Sequence, residues 1–288
     1  MAIETVSPPS TVSTRLQYAT APLDGEKNWS HINLDPASGQ RVRNWDEETH
    51  GVKVEDVRGQ EHAFTLDTAG FQFFNDRPAG LAYEKFAEDA EVESVYYKSS
   101  IEFVKEVTGA SRVEVFDHTI RRRRPGIIDD SPTKRQPVSL VHVDQTAASA
   151  TARVHRHLPA SDVPSLLSHR FQLLNLWRPL GHEAYDWPLA VCDFRSLDVH
   201  RDLLPTTLIY PEGMPNGETL SVRYNPGHKW KYLRGMRPDE VLLFKCFDSK
   251  NDGRAVLAPH TAFEDVTKPE GVPFRESIEL RMLVFYDE

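Results

Sequence analysis

The chain has 288 residues, 39% of them hydrophobic and 27% charged, with a formal net charge of −9 and two cysteines, Cys192 and Cys246. That length suits one large domain with an N-terminal elaboration. The acidic balance argues against a nucleic-acid surface, which needs clustered positive charge, and two cysteines supply neither a disulfide framework nor a sulfur-ligated metal. No apolar run approaches the roughly 18 residues of a membrane span. The opening segment, MAIETVSPPSTVST, lacks the basic and apolar regions of a secretory signal, so a cytoplasmic protein without membrane or nucleic-acid partners is expected.

Residues 1–25 are rich in Ser, Thr and Pro and predict a flexible or draped arm. Residues 26–288 then form a single domain, with a helical buttress over about 76–110 and a β-rich core over about 111–288. In the stretch 79–109, Val92, Val95, Tyr96, Ser99, Phe103 and Val107 recur at helical spacing, and Gly109 is a natural stop. Four arginines follow, Arg121 to Arg124, ahead of Pro125 and Gly126. A solvated strand end accounts for them, with attraction of an anionic substrate as the alternative. From there on, short apolar runs bounded by turn residues dominate: 112–116, 137–144, 171–177, 189–193, 207–210, 241–247 and 277–286. A short helix is expected over 163–170. So many short strands predict a barrel or sandwich, mainly β, with helices packed outside.

The most informative segment is PVSLVHVDQ at 137–145. As a strand it places Val138, Leu140, His142 and Asp144 on one face. Imidazole and carboxylate two residues apart can converge on one metal, and this mixed N/O pair suits iron(II) once a third ligand completes a facial triad. The competing explanation is a polar strand end with His142 bonded to a carbonyl and Asp144 capping a turn. Two histidines compete for the third place: His260, after Pro259, and His228, after Pro226 and Gly227. His155 and His157 fit a solvated loop. Near the end, Arg275, Ser277, Glu279 and Arg281 alternate with Ile278, Leu280, Met282 and Val284. Alternation favours a polar face in water; the other possibility is a polar face lining a lumen, where Arg275 could clamp a carboxylate bidentately, helped by Ser277. Asn175 and Trp177 share a face that would line the same lumen or belong to ordinary core. Arg178 and Arg195 either meet substrate or pair with nearby acids. No P-loop, dinucleotide fingerprint or nucleophile elbow occurs.

The order H-x-D, distant His, R-x-S resembles the iron(II)/2-oxoglutarate-dependent oxygenases. HVDQT at 142–146, NLWRPL at 175–180, PLAVCD at 188–193, HKWKY at 228–232, FKCFDS at 244–249, PHTAF at 259–263 and RES at 275–277 resemble one branch, the fungal gibberellin-desaturase-like hydroxylase/desaturase family. The resemblance runs from about residue 60 to the end. It implies a double-stranded β-helix of jelly-roll type with flanking N-terminal helices. It implies Fe(II) at His142, Asp144 and His260, and 2-oxoglutarate with its distal carboxylate at Arg275 and Ser277 and a contact from Asn175. O2 is the second co-substrate, and no catalytic residue is assigned beyond the metal triad. The implied reaction is hydroxylation, desaturation or cyclisation of a small secondary metabolite through a ferryl-oxo intermediate. Trp177, Arg178, His228 and Arg281 are candidate substrate-pocket residues. Arg275 stands farther from His260 than the clamp does in many such oxygenases, which leaves Arg281 as a rival. An iron(II) oxygenase that does not use 2-oxoglutarate, and a non-catalytic jelly-roll binding or accessory protein, are the alternatives; a homodimer is compatible with either.

Overall fold

The computed structural model describes residues 10–129 and 131–287. The first strands are β1 (Thr11–Ala19), β2 (Asn28–Leu34), β3 (Arg41–Arg43), β4 (Glu47–Asp56), β5 (Phe71–Phe74), β6 (Arg112–Arg122) and β7 (His142–Val143). They are followed by β8 (Phe171–Pro179), β9 (Leu189–Cys192), β10 (Leu203–Ile209), β11 (Gly217–Val222), β12 (Trp230–Tyr232), β13 (Val241–Asp248), β14 (His260–Ala262) and β15 (Glu276–Phe285). Five of them form an antiparallel sheet in the order β5-β13-β8-β15-β6. The other ten form a curled sheet in the order β1-β4-β12-β9-β14-β7-β11-β10-β2-β3. Two facing sheets with crossovers of this kind make a double-stranded β-helix, jelly-roll in character and mainly β. Among the described residues no helix is long and apolar enough to cross a membrane.

Strand β8 is buried on both faces, which its nearly unbroken apolar sequence FQLLNLWRP requires. Leu173 and Trp177 meet the core between the sheets, with Val143, Val191, Phe244 and Leu283. Leu174 and Leu176 turn the other way, onto Val92, Tyr96, Phe103 and Val104. Those four belong to the π-helical turn Val92–Tyr96 and the helix Tyr97–Thr108, which stops at Gly109 with φ of 72°. Strand β15 sends Ile278, Leu280, Met282 and Val284 to the same helical layer. Its polar face therefore points between the sheets, and Ser277 is 1% exposed and Glu279 7%. This reverses the expectation from alternation alone, because here the solvent side of the sheet is covered by helices.

The expected flexible arm is only partly within the described residues, and where it is described it is structured. Residues 11–19 form β1, paired along its length with β4, and Val12, Leu16 and Tyr18 are buried. Thr11, Ser13 and Arg15 are simply the outward half of a period-two strand. Residues 1–9 lie outside the described residues. Gln17 also bridges to Leu140, and the Val141 N–H donates to the Gln17 carbonyl at 2.9 Å. The run β1-β4-β12-β9-β14-β7 thus curls back on itself around a second core of Val12, Leu16, Tyr18, Val54, Cys192, Trp230 and Tyr232. Strand β9 is the wall between the two cores: Leu189 and Val191 face one, Ala190 and Cys192 the other. A second difference lies just past β7, where His155 and His157 end a helix, Ala147–His157, instead of lying in a loop. Thr146 caps that helix by accepting from the Ser149 N–H.

Candidate metal centre

His142 on β7 and His260 on β14 are directly paired across the antiparallel ladder, so their side chains leave the sheet on the same face, into the space between the sheets. Asp144, one residue past β7, completes the group, and the ligand atoms of the three lie within 4.8 Å of one another. The His142 and His260 rings are 4.4 Å apart between centroids. His142 Nε2 is 3.3 Å from Asp144 Oδ1, and His260 Nε2 is 4.0 Å from the same oxygen. Each imidazole is oriented from behind: His142 Nδ1 lies 2.8 Å from the Leu140 carbonyl and His260 Nδ1 3.2 Å from that of Ala258. A carbonyl only accepts, so Nδ1 carries the proton and the Nε2 lone pair is left for a metal. Burial, reinforced by the neighbouring His142, pushes the His260 imidazole down to about 3, so it stays neutral as a ligand must.

Asp144 is held just as firmly. Its Oδ2 accepts from Asn175 Nδ2 at 2.8 Å and from Arg281 Nε at 3.1 Å. Burial alone would raise this carboxyl; Arg281, followed by His142 and His260, keeps it well below the usual range. Arg281 also reaches Asp117 at 2.7 Å, Thr119 at 3.1 Å and Glu279 at 3.1 Å. Arg281 is thus occupied by carboxylates of the chain, which removes it as a rival clamp for a ligand. Asn175 likewise spends a donor on Asp144, where a contact to the co-substrate was expected.

Immediately before β15, Arg275 is 1% exposed. Its Nη1 donates to the Trp187 carbonyl at 2.6 Å, its guanidinium stands 5.6 Å from the Trp177 ring, and its Nε has no partner among the described residues. Burial, and next the positive charge of Arg121, pull its pKa down to about 9. A buried guanidinium with an unspent donor and no ion pair suits a carboxylate ligand. Ser277 lies two residues nearer the triad on the same inward face.

Other expected site residues are elsewhere. His228 stacks on Tyr18 at 5.9 Å and its Nε2 meets Asp202 at 3.0 Å, beside the second core and away from the triad. Arg178 points from β8 toward the helical layer, donating to Tyr96 Oη at 2.9 Å and to the carbonyls of Arg77 and Pro238 at 2.7 and 2.9 Å. Neither lines the space around the triad. Arg195 pairs with Asp193. Trp177 does face inward, as core and as the wall against Arg275. Sequence reasoning treated Arg121 to Arg124 as one group and could not tell them apart; Arg121 sits on β6 directly opposite Ser277.

A family model described as an oxidoreductase/YMDC permease-like domain matches residues 16–285. The chain is 37% identical to the hydroxylase/desaturase efuI of Hormonema carpetanum, over 96% of each chain. It is 34% identical to the Fe(II)/2-oxoglutarate-dependent dioxygenase nvfI of Aspergillus novofumigatus, over 92% of this chain and 93% of that one. Among solved structures, the iron and alpha-ketoglutarate-dependent endoperoxidase NvfI superposes with a TM-score of 0.84 at 32% identity, covering 97% of this chain and 99% of that one.

Proposed function

The chain belongs to the family of fungal hydroxylase/desaturases and Fe(II)/2-oxoglutarate-dependent dioxygenases, and on that premise we propose that His142, Asp144 and His260 hold iron(II) while Arg275 and Ser277 take the distal carboxylate of 2-oxoglutarate. The enzyme is an oxidoreductase that acts on a small secondary metabolite. The observation that carries the reading is the convergence of two imidazoles and one carboxylate within 4.8 Å, a donor set that matches iron(II) and leaves positions open. The chemistry such a centre supplies when loaded is O2 reduction coupled to decarboxylation of the keto acid and oxidation of a substrate C–H bond.

The chain's own residues supply position and dryness. The Leu140 and Ala258 carbonyls fix both imidazole tautomers. Asn175 and Arg281 pin one oxygen of Asp144 so that the other faces the histidines. Phe244, with its ring 4.6 Å from that of His260, covers the triad on the sheet side. Arg275 places a fixed fork where a carboxylate arrives. Both cysteines are unpaired and buried, which supports a reducing, cytoplasmic setting.

The test is an anaerobic titration with iron(II) and 2-oxoglutarate, following the visible charge-transfer band of the chelate in wild type and His260→Ala. A band present in the wild type and absent from the variant is expected. Iron bound without the band would point to an oxygenase that does not use the keto acid. Absence of stoichiometric iron would leave only a binding protein.

A further inference from the structure

We infer that Arg121 is a second guanidinium for the distal carboxylate of the co-substrate, shared with Arg275. The inference rests on the 2-oxoglutarate reading above and adds a residue to it. Strand register places it: β6 pairs with β15 so that Arg121 stands opposite Ser277, and the Arg123 N–H donates to the Arg275 carbonyl at 2.8 Å one rung further. Arg121 and Ser277 therefore project from the same inward face.

The four consecutive arginines then separate by what they touch. Arg122 pairs with Glu276 at 2.7 Å, and Arg123 with Asp186 at 2.9 Å. The Arg124 side chain reaches the Thr133 carbonyl at 3.4 Å. Arg121 donates to the Gln136 carbonyl at 3.0 Å, and no carboxylate of the described residues pairs with it. Arg275 is in the same condition, with one donor on the Trp187 carbonyl and Nε unspent. Two neighbouring guanidinia on one inward wall, Arg275 buried and Arg121 half-buried, with no ion pair to either among the described residues, are costly to maintain in a folded chain. The acids near the two guanidinia are already engaged: Glu279 with Arg281, Asp144 with Arg281 and the histidines, Asp186 with Arg123 and Lys268, and Asp129 with Arg135.

The missing negative charge must therefore come with a ligand. A carboxylate offers about four lone-pair sites, enough for donors from both arginines. Burial lowers the pKa of Arg121, as it does that of Arg275, the direction expected for cations awaiting an anion.

The test compares two keto acids on the full chain loaded with redox-inert Mn(II), by calorimetry. 2-Oxoglutarate carries the distal carboxylate; 2-oxopentanoate has the same carbon count without it. In Arg121→Gln, 2-oxoglutarate should bind roughly tenfold or more weakly, with 2-oxopentanoate and Mn(II) binding unchanged. Arg121→Lys, which keeps the charge, should lie between, and it decides the matter if the Gln variant does not fold. Unchanged 2-oxoglutarate affinity in both variants would overturn the inference. An equal loss for both keto acids would also overturn it, by placing Arg121 away from the distal end. A wild type that binds Mn(II) but no 2-oxoglutarate would overturn the co-substrate reading itself, a result separate from the first two.

Discussion

Asn175 donates from Nδ2 to Asp144 Oδ2 at 2.8 Å, and this decides which oxygen of the carboxylate is presented to the histidines. With Oδ2 held by Asn175 and Arg281, only Oδ1 is free to turn toward His142 and His260. Asn175→Ala should therefore leave the fold intact but weaken metal binding by about 10–100-fold. Competitive titration with Mn(II) or Co(II) reads this directly. Unchanged affinity would mean that Arg281 alone orients the carboxylate.

Arg281 answers to Asp144, Asp117 and Glu279 together. Replacing it by Met strands two largely buried acids, and the metal-free protein should lose about 3–5 kcal/mol, measured by urea unfolding. Adding Glu279→Gln to that variant should restore part of the loss, since burial already pushes the Glu279 carboxyl up, toward its neutral form. Saturating Mn(II) should restore more, by giving Asp144 a cation again.

Arg178→Met and His228→Gln separate structure from chemistry. Arg178 ties β8 to Tyr96 and two carbonyls, so its loss should cost about 1–3 kcal/mol for the groups left unpaired. Metal stoichiometry and 2-oxoglutarate affinity should be unchanged in both variants. A fall in either affinity, at equal fold stability, would return the residue to the ligand pocket.

Acid sensitivity should have an identifiable source in Asp248. Its side chain is fully buried and accepts from Lys245 Nζ and Gln172 Nε2, each at 2.7 Å, and from Arg170 Nη2 at 2.6 Å. Burial would raise this carboxyl, but Arg170 and Lys245 hold it below the usual range. The unfolded chain, with an Asp near 3.9, then binds the proton more readily than the folded one. The stabilisation is fully present above that value and is lost as the pH falls through the folded pKa. Asp248→Asn should flatten the acid limb of a stability–pH curve and cost about 3 kcal/mol at pH 7, because Lys245 is left short of a counter-charge.

The pairing of His142 with Asp144 was legible because its cue is local, a shared face by period two. His260 was preferred to His228 only by the order of motifs that carries the resemblance, and the structure brings all three together. The inward turn of Arg275 was not legible, since a polar stripe facing water and one facing a ligand cavity give the same alternation. What separates them is the helical layer over β15, a tertiary fact. Arg121 was hidden among identical neighbours that only register can tell apart. Strand β1 was hidden by composition, because its outward Ser and Thr read as disorder while Val12, Leu16 and Tyr18 carry the packing.

Strand β15, the last among the described residues, is not at an edge; it lies between β8 and β6. During synthesis those two strands emerge long before the one that joins them, and each waits with unpaired backbone groups and exposed apolar side chains. The sheet cannot close, nor can the arginines take their places, until β15 has emerged, and the nascent chain depends meanwhile on whatever shields open strand edges. Loss of β15 would leave the facing edges of β8 and β6 open, and the expected outcome is an aggregating protein rather than a weakened enzyme.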